Sequence, residues 1–111
     1  MSSERLHMRE LTPQAAVALR DENAVLFLDV REQWEHELCH IAGDLHIPMG
    51  QIQTRLEEIP QDRPLIVVCH HGMRSRQVAE FLLSLGYADV ANLNGGIDAW
   101  ARAVDPELEL Y

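Results

Sequence analysis

Cys69 and Arg74 share one short loop, and their setting carries the clearest chemistry in the chain. Four apolar residues, Leu65-Ile-Val-Val68, run directly into Cys69, and His70-His71-Gly72 then leads to Met73-Arg74-Ser75, where a helical pattern begins. A thiol is thereby placed at the carboxyl end of a buried strand and the amino end of a helix. Unpaired backbone N–H groups converge at such an end, and the helix dipole favours negative charge there. The attacking form of cysteine is the thiolate, which this environment favours. Cys69 is therefore expected to be a nucleophile; the plainer alternative is a small buried core residue. The N–H groups of His71, Gly72, Met73, Arg74 and Ser75 are expected to wrap an anion carried on its sulfur. Gly72 allows close backbone approach or positive φ, and the Arg74 guanidinium can grip an anionic donor at two points. His70 and His71 are candidate proton carriers, although their backbone positions are expected to matter more.

The flanking pattern supplies the elements that hold this loop. Short apolar runs alternate with helical spacing, as in a parallel sheet covered by helices. Leu6-His-Met8 reads as a weak first strand, and Thr12-Pro13 caps a helix that fades near Asp21-Glu-Asn23. Ala24 to Leu28 reads as a buried strand ending at Asp29-Val-Arg31, and Leu45-His-Ile47 as a short strand closed by Pro48. Met49, Ile52, Leu56 and Ile59 follow helical spacing up to Pro60. After the Cys69 loop, Val78, Phe81, Leu82 and Leu85 form one helical face that stops at Gly86. Asp89 to Leu93 reads as the last strand, and Gly95-Gly96 opens a helix carrying Ile97, Trp100 and Ala101. The acidic stretch from Asp105 to Tyr111 reads as a solvated, partly mobile end.

Composition narrows the chemistry further. At 111 residues the chain is expected to form a single domain, residues 1–111, with a core of its own. Its net charge of −9 argues against nucleic acid and anionic membranes as partners. All nine basic residues are arginine, so Schiff-base chemistry and the Gly-Lys-Ser/Thr phosphate loop are excluded. Two cysteines, Cys39 and Cys69, make no disulfide framework. Neither a leader-like h-region nor a membrane-spanning run is apparent, so a cytoplasmic protein is expected. Against the acidic whole, Arg74, Arg76 and the helix amino end are expected to make the mouth of the site positive, because salt confines the global field to about 8 Å.

Four stretches together resemble the rhodanese family of sulfurtransferases. They are Asp29-Val-Arg31-Glu32, His40-Ile-Ala-Gly43-Asp-Leu-His-Ile47-Pro48, the Cys69 to Ser75 loop, and Leu93-Asn-Gly95-Gly96-Ile-Asp-Ala-Trp100. They occur in the family's order and span nearly the whole chain. The resemblance implies a three-layer α/β/α domain with a central five-stranded parallel sheet whose second and fourth strands are neighbours. Asp29, Arg31 and Cys69 would then meet at the sheet's carboxyl edge, where open α/β folds bind ligands. It also implies a sulfurtransferase that carries sulfur as a Cys69 persulfide, from an anionic donor such as thiosulfate to cyanide or a thiol, with thioredoxin among the conceivable acceptors. No cofactor beyond that covalent intermediate is expected. Asp29 and Arg31 are read as supporting residues that tie down the strand end. The family usually carries glycine where this chain has Cys39.

Three other readings compete. A cysteine phosphatase or arsenate reductase also places cysteine and arginine on a loop before a helix. In the phosphatase signature five residues separate them, whereas His70, His71, Gly72 and Met73 make four here. The tighter ring suits a sulfur atom better than a tetrahedral phosphate, and Val68 stands where that signature has histidine. His36, Cys39, His40 and His46, with Cys69, His70 and His71, are conceivable metal ligands, but their spacing fits no standard zinc pattern, so no metal is expected. A non-enzymatic binding module is the third, and the presence of Cys69 counts against it. Cys39 is read as a buried thiol more than as a resolving partner for Cys69. Met73 and Trp34 are read as a possible apolar rim, with core packing as the alternative for Trp34.

Overall fold

A computed structural model of the chain describes residues 8–22 and 25–111. Strand β1 is Arg9–Leu11, helix α1 Pro13–Asp21, β2 Leu26–Asp29, α2 Gln33–Leu38 and β3 Leu45–His46. Two 3₁₀ segments, Met49–Gln51 and Gln53–Glu58, lead to β4, Leu65–Val68. Helix α3 is Met73–Ser84, β5 Val90–Leu93 and α4 Gly96–Ala103. The five strands form one sheet in the order β1-β5-β4-β2-β3, and every pairing is parallel. The expected α/β architecture is present, with β2 beside β4.

Side chains of β4 alternate between the two faces, as strand geometry requires. Leu65, Val67 and Cys69 join Leu28, Ile47, Val78 and Leu82 in one buried cluster. Ile66 and Val68 join Ala16, Phe27, Ile97 and Trp100 in the other. Because both faces are covered, β4 is apolar at every position instead of alternating. Trp100 meets Phe27 edge to face at 5.3 Å, a favoured aromatic geometry. The Thr12 hydroxyl caps α1 by accepting from the Ala15 N–H at 3.1 Å, with Pro13 in the first turn.

Several expectations need correction. The first strand lies at Arg9–Leu11 and not at Leu6–Met8, and Leu6 and His7 fall outside the described residues. Its position is set by pairing with β5, where Arg9 faces Ala91 and Leu11 faces Leu93, and not by its apolar content. The Met49–Ile59 stretch is two 3₁₀ segments with a break at Arg55, not an α-helix. Met49 to Ile52 and Leu56 to Ile59 are three apart, the period at which 3₁₀ side chains eclipse. Leu85 is 49% exposed and leaves the buried face of α3. The end of the chain is not free: Leu108 and Tyr111 pack against the second cluster.

Candidate functional site

The loop after β4 returns Cys69 to its own backbone. Cys69 is 1% exposed, and its Sγ accepts from the Gly72 N–H at 3.1 Å and lies 3.3 Å from the Ser75 hydroxyl oxygen. The sulfur therefore faces the loop amides rather than turning away from them. Of the five expected amide donors, that of Gly72 lies within hydrogen-bond reach of Sγ, and the Ser75 side chain packs beside the sulfur while its hydroxyl proton goes to Asn92. Gly72 has φ 109°, the left-handed region that glycine enters at little cost, and this turn aims its N–H back at the sulfur. Helix α3 starts at the next residue, so its positive end lies against the thiol.

Two neighbouring elements clamp the loop from outside. Asn92 on β5 donates from Nδ2 to the Gly72 carbonyl at 3.0 Å, and its Oδ1 accepts from the Ser75 hydroxyl. The first turn of α4 donates from Ile97 N to the Cys69 carbonyl at 2.8 Å and from Asp98 N to the His70 carbonyl at 3.1 Å. This approach demands glycine at position 96. A Cβ there would lie 2.3 Å from the His70 carbonyl oxygen and 2.6 Å from that of Cys69, both backbone atoms that cannot swing aside.

Asp29 and Arg31 form the second layer. Asp29 accepts from Arg31 Nε at 2.9 Å and Nη2 at 2.7 Å, and from the Arg31 backbone N–H at 3.0 Å. The same guanidinium donates to the Cys39 carbonyl at 2.6 Å and the Glu35 carbonyl at 3.2 Å. Arg31 is fully buried and Asp29 is 1% exposed. Burial opposes the arginine charge, but the Asp29 hydrogen bonds outweigh it and raise the Arg31 pKa. The pair ties β2 to the turn after α2. The Cys39 thiol belongs to the second cluster and Cys69 to the first, on opposite faces of the sheet, so the two are not placed as disulfide partners.

The expected role of Arg74 changes. Both its terminal nitrogens donate to Glu35, at 2.8 and 2.9 Å, a two-point pair within the protein. Arg76 lies beside Glu10 and Glu80, at 3.7 and 3.8 Å. Glu35 thus occupies Arg74, while Arg76 is exposed and only loosely flanked by carboxylates, so at the sulfur itself the attraction for an anion falls to backbone N–H groups and the helix end. Trp34 is 59% exposed and Met73 76% exposed, consistent with a rim and not with core packing. A cleft of about 240 Å³ flanks the loop, lined by His71, Gly72, Met73, Arg76 and Asn94 among others.

The sequence reading does not reach three residues of this site. Glu35 lies in α2, an unanticipated helix whose signal is Glu32 followed three residues later by Glu35: the Glu32 N–H donates to Glu35 Oε1 at 2.9 Å. Asn92 is the one polar residue in the apolar run Val90-Ala-Asn-Leu93, a signal available in the sequence. Tyr111 sits in the stretch read as solvated. Its hydroxyl donates to Glu35 Oε2 at 2.8 Å and accepts from Arg31 Nη1 at 2.9 Å. Its ring stacks on His70 at 3.8 Å and meets Trp34 edge-on at 5.8 Å. Burial raises the Tyr111 phenol pKa and lowers that of His70, keeping both neutral.

Glu35 makes this network sensitive to acid. The Arg74 hydrogen bonds hold its pKa down to about 2 from an ordinary 4.5. A depressed carboxylate contributes stability above its unfolded value and loses it as pH falls through the folded one. The contribution, up to about 3 kcal/mol, should disappear between the two pKa values. Urea midpoints measured across that window should fall steeply for the native chain and more gently for Glu35→Gln. Parallel curves would show that Glu35 does not carry the effect.

Comparison with known proteins agrees with this architecture. The sequence model of the rhodanese-like domain family matches residues 12–103. A thiosulfate sulfurtransferase GlpE of Pseudomonas fluorescens is 37% identical over 99 residues, covering 89% of this chain and 90% of the relative. A sulfurtransferase of Allochromatium vinosum is 43% identical over 84 residues, covering 76% and 78%. The crystal structure of a rhodanese-related protein from Thermoplasma volcanium superposes with a TM-score of 0.80 at 30% identity, covering 91% of this chain and 99% of that one.

Proposed function

This chain belongs to the rhodanese-like domain family, and on that premise we propose that it is a thiosulfate sulfurtransferase working through a Cys69 persulfide. The observation that carries the reading is the orientation of Sγ, directed at the Gly72 amide and the Ser75 hydroxyl at the amino end of α3. The Cys69 thiolate attacks the outer sulfur of thiosulfate. A new S–S bond forms to Cys69, the S–S bond of the donor breaks, and its electron pair leaves with sulfite. The terminal persulfide sulfur keeps the negative charge, which the loop donors stabilise without reorganising. Cyanide or a thiolate then attacks that sulfur, takes it as thiocyanate or a new persulfide, and returns Cys69 as thiolate. Sulfite leaves as a stable anion, so no strong general acid is required, in keeping with a His70 held neutral beneath Tyr111. With Cys69 buried at the floor of a four-residue loop, the arrangement favours a single terminal sulfur over a phosphoryl group, and Arg74 is committed to Glu35. Physiological acceptors of this chemistry are small thiols or a dithiol protein such as thioredoxin, and a reducing cytoplasm keeps Cys69 available.

Two half-reactions separated by a covalent intermediate predict ping-pong kinetics. Varying thiosulfate at several fixed cyanide concentrations should give parallel double-reciprocal lines for thiocyanate formation. Intersecting lines would contradict the intermediate. Turnover of an aryl phosphate that vanishes in Cys69→Ser would instead assign the loop to phosphate chemistry.

A further inference from the structure

One aromatic side chain from outside the family-matched stretch reaches the sulfur loop. Tyr111 lies beyond residues 12–103, and its segment packs against the second cluster through Leu108 and Tyr111 itself. The Tyr111 ring lies flat on the His70 imidazole, with centroids 3.8 Å apart and planes within 6° of parallel. His71 stacks on the same imidazole at 3.9 Å and 24°. Two rings at such distances cannot share one face, so His70 is held between them. Its Nε2 is buried and has no hydrogen-bond partner among the described residues. Flat packing, and not a bond at that atom, therefore sets where the ring lies. His70 directly follows Cys69, and its carbonyl accepts from the Asp98 N–H at 3.1 Å. Ring and carbonyl together fix the first residue after the nucleophile.

We propose that Tyr111 is a positioning residue for sulfur transfer, its ring holding His70 and with it the start of the loop that carries Cys69. The role rests on the persulfide chemistry proposed for Cys69. The hydroxyl places the ring: it accepts from Arg31 Nη1 at 2.9 Å and donates to Glu35 Oε2 at 2.8 Å. Using the phenol as both acceptor and donor fixes its direction as well as its distance. Arg31 is tied to Asp29 at the end of β2, and Glu35 to Arg74 in the first turn of α3. One side chain thus joins the end of β2, α2 and, through Glu35, α3 to the residue beside the sulfur. Preorganised donors stabilise a developing charge only while their positions are held. A misplacement of about 1 Å can cost about 100-fold in rate.

Tyr111→Leu, Tyr111→Phe and Leu110→Ala separate the ring, the hydroxyl and the segment. Leucine keeps apolar packing against the second cluster but has neither flat face nor hydroxyl, whereas phenylalanine keeps the face. Leu110 is exposed in the same segment. In thiocyanate formation, kcat/KM for thiosulfate should fall at least about tenfold in Tyr111→Leu and stay within about threefold of native in Tyr111→Phe. Leu110→Ala should match the native chain, with melting curves showing that every assay runs on folded protein. The imidazole C–H resonance of His70 adds a readout that general destabilisation does not move. With the ring gone, burial of His70 eases and its titration midpoint should rise toward an ordinary imidazole value. His71, Glu35 and Asp98, the other titratable groups facing it, are unchanged in that variant. Native activity in Tyr111→Leu, an equal loss in Tyr111→Phe or Leu110→Ala, or an unmoved His70 midpoint overturns the proposal. A native chain that forms no thiocyanate overturns the persulfide chemistry along with it.

Discussion

Replacing Cys69 with serine should lower thiocyanate formation from thiosulfate and cyanide by at least about 10³-fold. The serine hydroxyl keeps its proton at neutral pH, and an oxygen cannot form the disulfide-like bond that stores the transferred sulfur. The substitution is conservative in volume, and the Gly72 N–H and Ser75 hydroxyl that meet Sγ can equally meet Oγ. The fold should therefore persist, which circular dichroism and a melting curve will establish. A folded Cys69→Ser protein retaining turnover within tenfold of the native chain would place the chemistry elsewhere.

Replacing Arg31 with methionine should cost about 3–5 kcal/mol of stability without touching the sulfur. Arg31 has no exposure and satisfies the Asp29 carboxylate, the Cys39 and Glu35 carbonyls and the Tyr111 hydroxyl together. Methionine fills much of the volume and restores none of those donors. Asp29 is left as a buried charge without its partner, and an unmade bond to a buried group costs more than a formed one contributes. Domains of this kind are stable by about 5–15 kcal/mol, so the loss is a large fraction of the whole. The urea midpoint reads it directly. A double change, Asp29→Leu with Arg31→Met, should recover part of the loss because the uncompensated charge is gone. A single-variant loss below about 1 kcal/mol would mean that the pair is not a structural tie.

The legible part of this molecule is the part in which local pattern and long-range packing agree. The run Leu65–Val68, the glycine at 72 and the helix after Met73 specify strand, turn and helix by themselves, and Cys69 follows from their order. The Asp29–Arg31 tie is readable because both residues end a buried strand. Arg74 is misread as a free anion clamp because its partner, Glu35, lies 39 residues away on a six-residue helix with no strong apolar periodicity. Tyr111 is missed for a related reason: an acidic stretch looks solvated, and only the folded chain brings its phenol to Arg31 and Glu35. The edge strand shifts because its register answers to β5, which no local signal contains. Long-range polar pairing is thus the information that one-dimensional pattern omits.

The central claim is that Cys69 accepts one sulfur atom, and intact-mass analysis after exposure to thiosulfate tests it most directly. The native chain should gain the mass of a single sulfur, lose it on addition of cyanide, and show no gain as Cys69→Ser. An unchanged mass, or a gain that survives the serine substitution, would contradict the account.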